Sequence, residues 1–176
     1  MTHKEYLTSE FWILSWNASV QRASIYRRDR DRTTERDRKS FREEIIRHLE
    51  KQVIPIYEST VSEEEHLKQI QALSHVGTKV GSSVLAEDGY KIGVAQKLLN
   101  LQLKYLWCIR AVAEPPHCPV DRVIIGKTYL KDRVAWTKIA SIDEYKGVIS
   151  AIRQLAEADG LSIPCWELKE YDRSDA

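Results

Sequence analysis

The sequence predicts an all-α fold, built as a single compact domain of five to seven helices around one buried central helix. Three observations support this prediction. Apolar residues recur at helical spacing, no segment alternates as a half-buried strand does, and Ser-x-x-Glu capping patterns precede apolar stretches. The length of 176 residues suits one domain with one core, so we take residues 1–176 as that domain.

The first helix is expected to begin at Thr8 or Ser9 and to run to about Tyr26, with its apolar residues at helical spacing. The segment that follows, residues 27–39, mixes arginines with acidic residues and has no apolar face. Such a pattern is typical of a solvated helix extension or a loop.

Capping boxes predict where the next helices begin. The Ser-x-x-Glu pattern at 40–43 should open a second helix, which Pro55 should end or bend. The same pattern at 62–65 should open a third helix. Residues 77–89 contain three glycines, and we expect them to form short turns or short helices.

The most apolar part of the chain predicts the central helix, at about residues 94–110. Its apolar residues point around nearly the whole circumference, which is typical of a helix buried on most sides. The prolines within 115–119 predict an extended linker, and a short helix is expected at 120–125. A further capping box at Ser141 should open a helix that Gly160 closes.

Composition limits the classes of function. The chain has 27 basic and 26 acidic side chains, and a net charge of +1 excludes strong overall attraction to polyanions. Nucleic-acid binding would therefore need local clusters of Lys and Arg. The odd count of three cysteines, with no signal peptide and no apolar run long enough for a membrane span, predicts a cytoplasmic protein without membrane association.

Two residues at helix starts carry the chemical hypothesis. Lys97 lies in the first turn of the predicted central helix, and Asp121 lies at the start of the short helix after the proline-rich linker. If the linker folds back, both side chains face one cleft. Helix N-termini favour a carboxylate and disfavour an ammonium group, so the two positions suit an acid and a neutral amine.

The segment 93–97, Gly-Val-Ala-Gln-Lys, followed by Pro-Val-Asp at 119–121, resembles the helix-hairpin-helix DNA glycosylases. It is most similar to the archaeal 8-oxoguanine DNA glycosylases, over about residues 93–125. The chain departs from that pattern in having Ala95 where the hairpin has its second glycine. The resemblance implies removal of a damaged or modified base from DNA, in repair or in defence against DNA with modified bases, without a metal or other cofactor.

The resemblance also implies roles for single residues. Lys97 would be the nucleophile that forms a Schiff base with the sugar, and Asp121 would stabilise the charge on the sugar. The target base would be rotated out of double-stranded DNA into a pocket with aromatic walls. The expected pocket walls and base readers are Trp16, Trp107, Tyr90, Asn17 and Gln96. The expected contacts to the DNA backbone are Gly93, Lys79, Arg122 and Lys127.

Alternatives stay open at this point. Lys97 and Asp121 also fit an exposed helix residue and an ordinary N-cap. The chain would then be a non-catalytic helical adaptor that binds a protein or a nucleic acid through the Arg-rich segment 27–39. His117 and Cys118 lack the further ligands that zinc needs, so we expect no metal site, with Cys108 in the core and His117 at the linker surface.

Overall fold

Seven α-helices account for most of the computed structural model, which describes residues 2–28 and 33–171. They are α1 (His3–Val20), α2 (Glu35–His48), α3 (Glu63–Val80), α4 (Ile92–Cys108), α5 (Arg122–Gly126), α6 (Ile142–Ala158) and α7 (Ile163–Glu170). Within these described residues there is no strand beyond one isolated antiparallel bridge, between Tyr26 and Leu85. The prediction of an all-α fold is confirmed.

Helix α4 is the centre of the core. Every residue from Ile92 to Asn100 is buried, and α1 and α3 pack along this helix. One cluster of buried apolar side chains includes residues from all seven helices. The predicted buried central helix is therefore confirmed, and it brings Lys97 against elements that are distant in the sequence.

Capping interactions explain where the helices begin. The Ser62 hydroxyl accepts a hydrogen bond from the backbone N–H of Glu65 at the start of α3, and Ser141 forms the predicted capping box at the start of α6. The first helix was expected at Thr8 or Ser9, and this is wrong. Thr2 forms a capping box with Glu5, so α1 begins almost two turns earlier and ends at Val20.

Two capping patterns compete near the start of α2. Thr34 forms a capping box with Asp37, so the helix begins before the predicted Ser40, which lies within it. The Arg38 guanidinium stacks 4.7 Å over the ring of Tyr26 and helps to fix this earlier first turn. Of the mixed-charge segment, residues 29–32 lie outside the described part of the chain.

The helix ends before Pro55, as predicted, but through irregular turns. After His48 a π-helical turn, Leu49–Val53, leads into a 3-10 helix, Ile54–Glu58, whose first turn holds the proline. The missing N–H and fixed φ of proline are compatible with that position.

Of the three glycines in residues 77–89, Gly81 and Gly89 lie in turns as expected, and Gly77 does not. Gly77 lies inside α3, where a side chain would collide with Tyr90, whose ring lies 2.5 Å from the ideal Cβ position. Gly81 ends α3, and Gly89 adopts a left-handed φ of 68° in the turn before α4. Tyr90 is consequently held in the contact between α3 and α4.

Among residues 2–28 and 33–171, no helix combines the length and apolar character that a membrane span requires.

Candidate active site

A cleft of about 740 Å³ opens beside the middle of α4. Its walls come from α1, α4, the start of α5, a 3-10 turn at Trp136–Lys138 and α7. The side chains that line it and bear on its chemistry are Asn17, Arg22, Lys97, Lys104, Asp121, Trp136, Glu167 and Tyr171.

Lys97 and Asp121 meet in this cleft. The Nζ atom of Lys97 lies 3.4 Å from Oδ2 of Asp121, and the two side chains are 11% and 13% exposed. The other carboxylate oxygen of Asp121 accepts hydrogen bonds from the backbone N–H groups of Val123 and Ile124, at 3.0 and 3.1 Å. Asp121 therefore caps α5 with one oxygen and turns the second toward the amine. The predicted proximity of the two side chains is confirmed.

The surroundings of Lys97 make its amine less basic than that of an exposed lysine. Burial lowers the pKa of Lys97 from its ordinary value of 10.5, and Asp121 opposes this effect. The positive charge of Arg22 lowers the pKa further. The amine also lies 4.3 Å from the centre of the Trp136 ring, which excludes water from one side of it. A less basic amine that remains accessible from the cleft is suited to nucleophilic attack.

A second ion pair lies on the α7 side of the cleft. Lys104 Nζ lies 2.7 Å from a carboxylate oxygen of Glu167, whose side chain is almost fully buried. Burial raises the pKa of Glu167, and Lys104 opposes that rise. The same ammonium lies 4.8 Å from the centre of the Tyr171 ring. This wall presents charged and aromatic groups to any molecule in the cleft.

Gln96 holds the backbone next to Asp121. Its side-chain N–H donates to the carbonyl oxygens of Gly93 and Val120, at 2.9 and 2.8 Å. Its side-chain oxygen accepts from the Val120 N–H at 3.1 Å and from Asn100 at 3.2 Å. The amide is fully occupied and buried, so the expectation that Gln96 reads a base is wrong: it fixes the residue that precedes Asp121.

A sealed polar network extends from Gln96 into the core. Asn100 donates to the Tyr145 hydroxyl at 3.0 Å, and this hydroxyl also bonds to Nδ1 of His117 at 3.0 Å. The His117 ring meets the ring of His66 edge to face, with ring centres 4.8 Å apart. Burial lowers the pKa of both histidines to about 3, so they are neutral at physiological pH. The linker is thereby fixed between α3, α4 and α6.

The expected positions of His117 and Cys108 are reversed. His117 is buried within the network, and Cys108 is exposed at the end of α4. The reason is that Tyr145 and Glu63 supply hydrogen-bond partners for the imidazole inside the protein. The described residues contain no group of three or more His, Cys, Asp or Glu arranged to hold a metal ion.

The other expected pocket residues divide into two groups. Asn17 lines the cleft. Trp16 and Tyr90 do not, because both are buried and pack edge-on against Phe41. Trp107 lies in the last turn of α4, partly buried against the core and outside the cleft. The aromatic wall is instead Trp136 with Tyr171.

The expected contacts to the DNA backbone also divide. Arg122 lines the cleft, and Lys127 lines a neighbouring groove. Gly93 is buried and its N–H donates to Ile139, so this N–H is not available to a phosphate, and that expectation is wrong. Lys79 is exposed in the last turn of α3 and lines neither the cleft nor the groove.

Five of the cleft side chains named above were not expected from the sequence: Arg22, Lys104, Trp136, Glu167 and Tyr171. Lys104 had a usable signal, because it lies seven residues after Lys97 and so on the same face of α4. The others come from elements that only the tertiary fold brings to α4, and no local pattern marks them.

Comparison of this chain with family models, with curated proteins and with solved structures finds no match.

Proposed function

We propose that this protein is a DNA glycosylase that removes a damaged or modified base and uses Lys97 and Asp121 as catalytic residues. The observation that carries the proposal is the 3.4 Å approach of a largely buried amine, whose pKa is lowered, to a carboxylate at the wall of a cleft. An amine of this kind is a nucleophile, and a neighbouring acid group activates it.

The pair suits cleavage of an N-glycosidic bond. The Lys97 nitrogen forms a bond to the sugar carbon C1′ while the bond between C1′ and the base breaks, and the base leaves with the electron pair. Asp121 accepts the proton that the amine loses, and its charge stabilises the positive charge that develops on the sugar. The bond between C1′ and the ring oxygen O4′ then breaks, O4′ takes back the proton that Asp121 accepted, and an imine between C1′ and Lys97 results. Loss of a proton from C2′ of this imine eliminates the neighbouring phosphate, which would give strand cleavage after base removal.

The cleft supports a flipped nucleotide as the substrate. Its volume of about 740 Å³ is in the range of small-molecule sites. The Asn17 side chain, at the wall formed by α1, offers both a donor and an acceptor to the edge of a base. Tyr105 and Tyr171, which are less buried than Trp136, supply aromatic surface on which an unstacked base gains contact area.

A panel of duplex oligonucleotides, each with one damaged or modified base, tests the proposal. After incubation, hot alkali converts abasic sites into breaks that a denaturing gel detects. We expect breaks at one class of base with the wild-type protein, and at least about a 100-fold loss of rate for Asp121→Asn, since Asn keeps the α5 cap but removes the charge.

The matched control is Asp143→Asn, which makes the same change in the first turn of α6, at an exposed position outside the cleft. This variant should retain the wild-type rate. The proposal is wrong if Asp121→Asn cleaves as fast as the wild type, or if the wild-type protein releases no base from any duplex in the panel.

A further inference from the structure

A cationic groove adjoins the catalytic cleft. It has a volume of about 820 Å³ and runs from the end of α1 along α5 and the loop that leads to the 3-10 turn. The groove and the cleft share Arg22, Arg122, Val123 and Trp136 as lining residues, so the two depressions are continuous. The cationic side chains that line the groove are Arg22, Arg122, Lys127, Lys131, Arg133 and Lys138.

The positive charge of this groove is largely unneutralised. Asp132 is the one acidic residue among its lining residues, against six cationic residues. Within the described residues, Lys127 pairs with Glu170 at 3.6 Å, and the other five cations form no ion pair. A chain with a net charge of only +1 thus concentrates exposed cations at one place, where their mutual repulsion is a cost that a polyanion would remove.

We propose that this cationic groove binds the phosphate backbone of the DNA whose target nucleotide enters the cleft. The inference rests on the proposed function for the identity of the polyanion. Continuity of the two depressions lets one strand follow the groove while a nucleotide turns toward Lys97. The backbone is held here by side-chain charges from α5 and its following loop, and not by the turn before α4, where the Gly93 N–H is already bonded to Ile139.

One exposed aromatic residue lies in the chain between two cations of the groove, although it is not itself among the lining residues. Tyr129 lies in the loop between Lys127 and Lys131 and is 61% exposed, more than any other large hydrophobic residue in the described chain. An aromatic ring among cations suits a ligand that carries both phosphates and bases.

The salt dependence of DNA binding tests the proposal. The triple variant Lys131→Gln, Arg133→Gln, Lys138→Gln removes three unpaired cations of the groove. The control triple variant Lys39→Gln, Lys51→Gln, Lys68→Gln removes the same charge from exposed positions outside the cleft and the groove. Binding is measured by fluorescence anisotropy, over a range of NaCl concentrations, on a labelled duplex with a tetrahydrofuran abasic analogue that cannot be cleaved.

The slope of log K against log[NaCl] is negative for DNA binding. We expect its magnitude to be smaller by about 3 in the groove variant, because each phosphate contact contributes about 0.9 to that magnitude. The control variant should keep the wild-type slope. Equal losses in the two variants would overturn the proposal and leave only an effect of net charge. It would also be overturned if the groove variant loses binding to vesicles with anionic lipids while its binding to the duplex is unchanged.

The proposed function and the groove can fail separately. If Asp121→Asn binds the duplex normally and the groove variant binds it more weakly, DNA binding by the groove is supported even when no base is excised. If the groove variant excises the base at the wild-type rate and keeps the wild-type salt dependence, the proposal of DNA binding by the groove is wrong. The proposal of a glycosylase is not affected by that result.

Discussion

The two sides of helix α4 differ in whether their polar side chains reach solvent. On one side, Lys97 and Asp121 are charged groups in a cleft that reaches solvent. On the other side, one residue away, Gln96 and Asn100 belong to a sealed network of neutral groups that includes His117. The first side keeps an amine with a lowered pKa beside an acid, and the second uses its hydrogen bonds to hold the backbone.

The cleft residues are placed to react with a bound molecule, whereas the buried network is placed to hold the backbone. Buried neutral groups that hydrogen-bond to one another stabilise one arrangement of the chain, and their burial keeps them out of reach of a substrate. The cleft pair has one carboxylate oxygen used by the α5 cap and the second facing an accessible amine. Gln96 joins the two regions, because it bonds both backbone groups of Val120, the residue before Asp121.

The largest expected effect is the loss of activity in Lys97→Met. We expect base excision followed by strand cleavage to fall at least about 100-fold, since the nucleophile is gone. The free energy of unfolding should fall by up to about 3 kcal/mol, because the largely buried Asp121 carboxylate loses its partner while its hydrogen bonds to the start of α5 remain. Cleavage assays and urea unfolding on the same preparation check both. Lys146→Met, an exposed change on α6, should affect neither; excision and cleavage at the wild-type rate in folded Lys97→Met would contradict this account.

The two histidines of the buried network predict that the protein loses stability at low pH. His66 and His117 have folded pKa values of about 3, whereas an unfolded chain protonates them near 6.5. The unfolded state therefore binds more protons between these values, so stability is complete above about pH 6.5 and falls as the pH drops toward 3. Urea unfolding at several pH values should show a loss of several kcal/mol, of order 1.4 kcal/mol per unit of pKa difference for each group.

A histidine variant sharpens that prediction. His117→Gln should weaken the dependence of stability on pH, whereas His75→Gln, at an exposed position of α3, should leave it unchanged. Identical pH profiles for wild type and His117→Gln would show that the buried imidazole does not cause the acid sensitivity.

Gly93→Ala should destabilise the junction between α4 and the 3-10 turn. An ideal Cβ at this position would lie 1.8 Å from the carbonyl oxygen of Trp136, so the backbone must move, at a cost of about 3 kcal/mol. Gly147→Ala on α6 meets no atom within 4 Å and should add about 0.5–1 kcal/mol to stability. Thermal unfolding should show a lower melting temperature for Gly93→Ala and a higher one for Gly147→Ala. Equal changes in melting temperature would contradict the close approach of Gly93 to the Trp136 carbonyl.

The smallest expected effect belongs to Gln96→Leu. Leucine leaves the N–H and C=O of Val120 without partners, so we expect a loss of about 1–3 kcal/mol in stability. We also expect a fall of about 10-fold in kcat with little change in KM, because Asp121 is displaced. Gln102→Leu, which loses one bond to Ser15 elsewhere on α4, should cost stability without the change in kcat. Equal kcat values in the two variants would show that Gln96 does not position Asp121.

The sequence was sufficient for the central helix, because apolar residues around a whole helix are a local pattern. The meeting of Lys97 with Asp121 was predicted only on the condition that the linker folds back, which depends on contacts such as those of Gln96 with Val120 and not on a local pattern. The sequence was insufficient where two local signals competed, as at Thr34 and Ser40. Aromatic residues were misplaced because Trp16 and Trp136 look alike in a sequence. Which of them borders the cleft depends on contacts between distant elements, which local patterns do not encode.

The most direct test of the central claim is borohydride trapping on duplex DNA that carries one natural abasic site. Because the base is already absent, the result does not depend on knowing which base is excised. The account predicts a covalent adduct whose cross-linked peptide contains Lys97, with no adduct in Lys97→Met and a normal yield in Lys146→Met. An adduct that forms equally in Lys97→Met, or that maps to lysines outside the cleft, would contradict it.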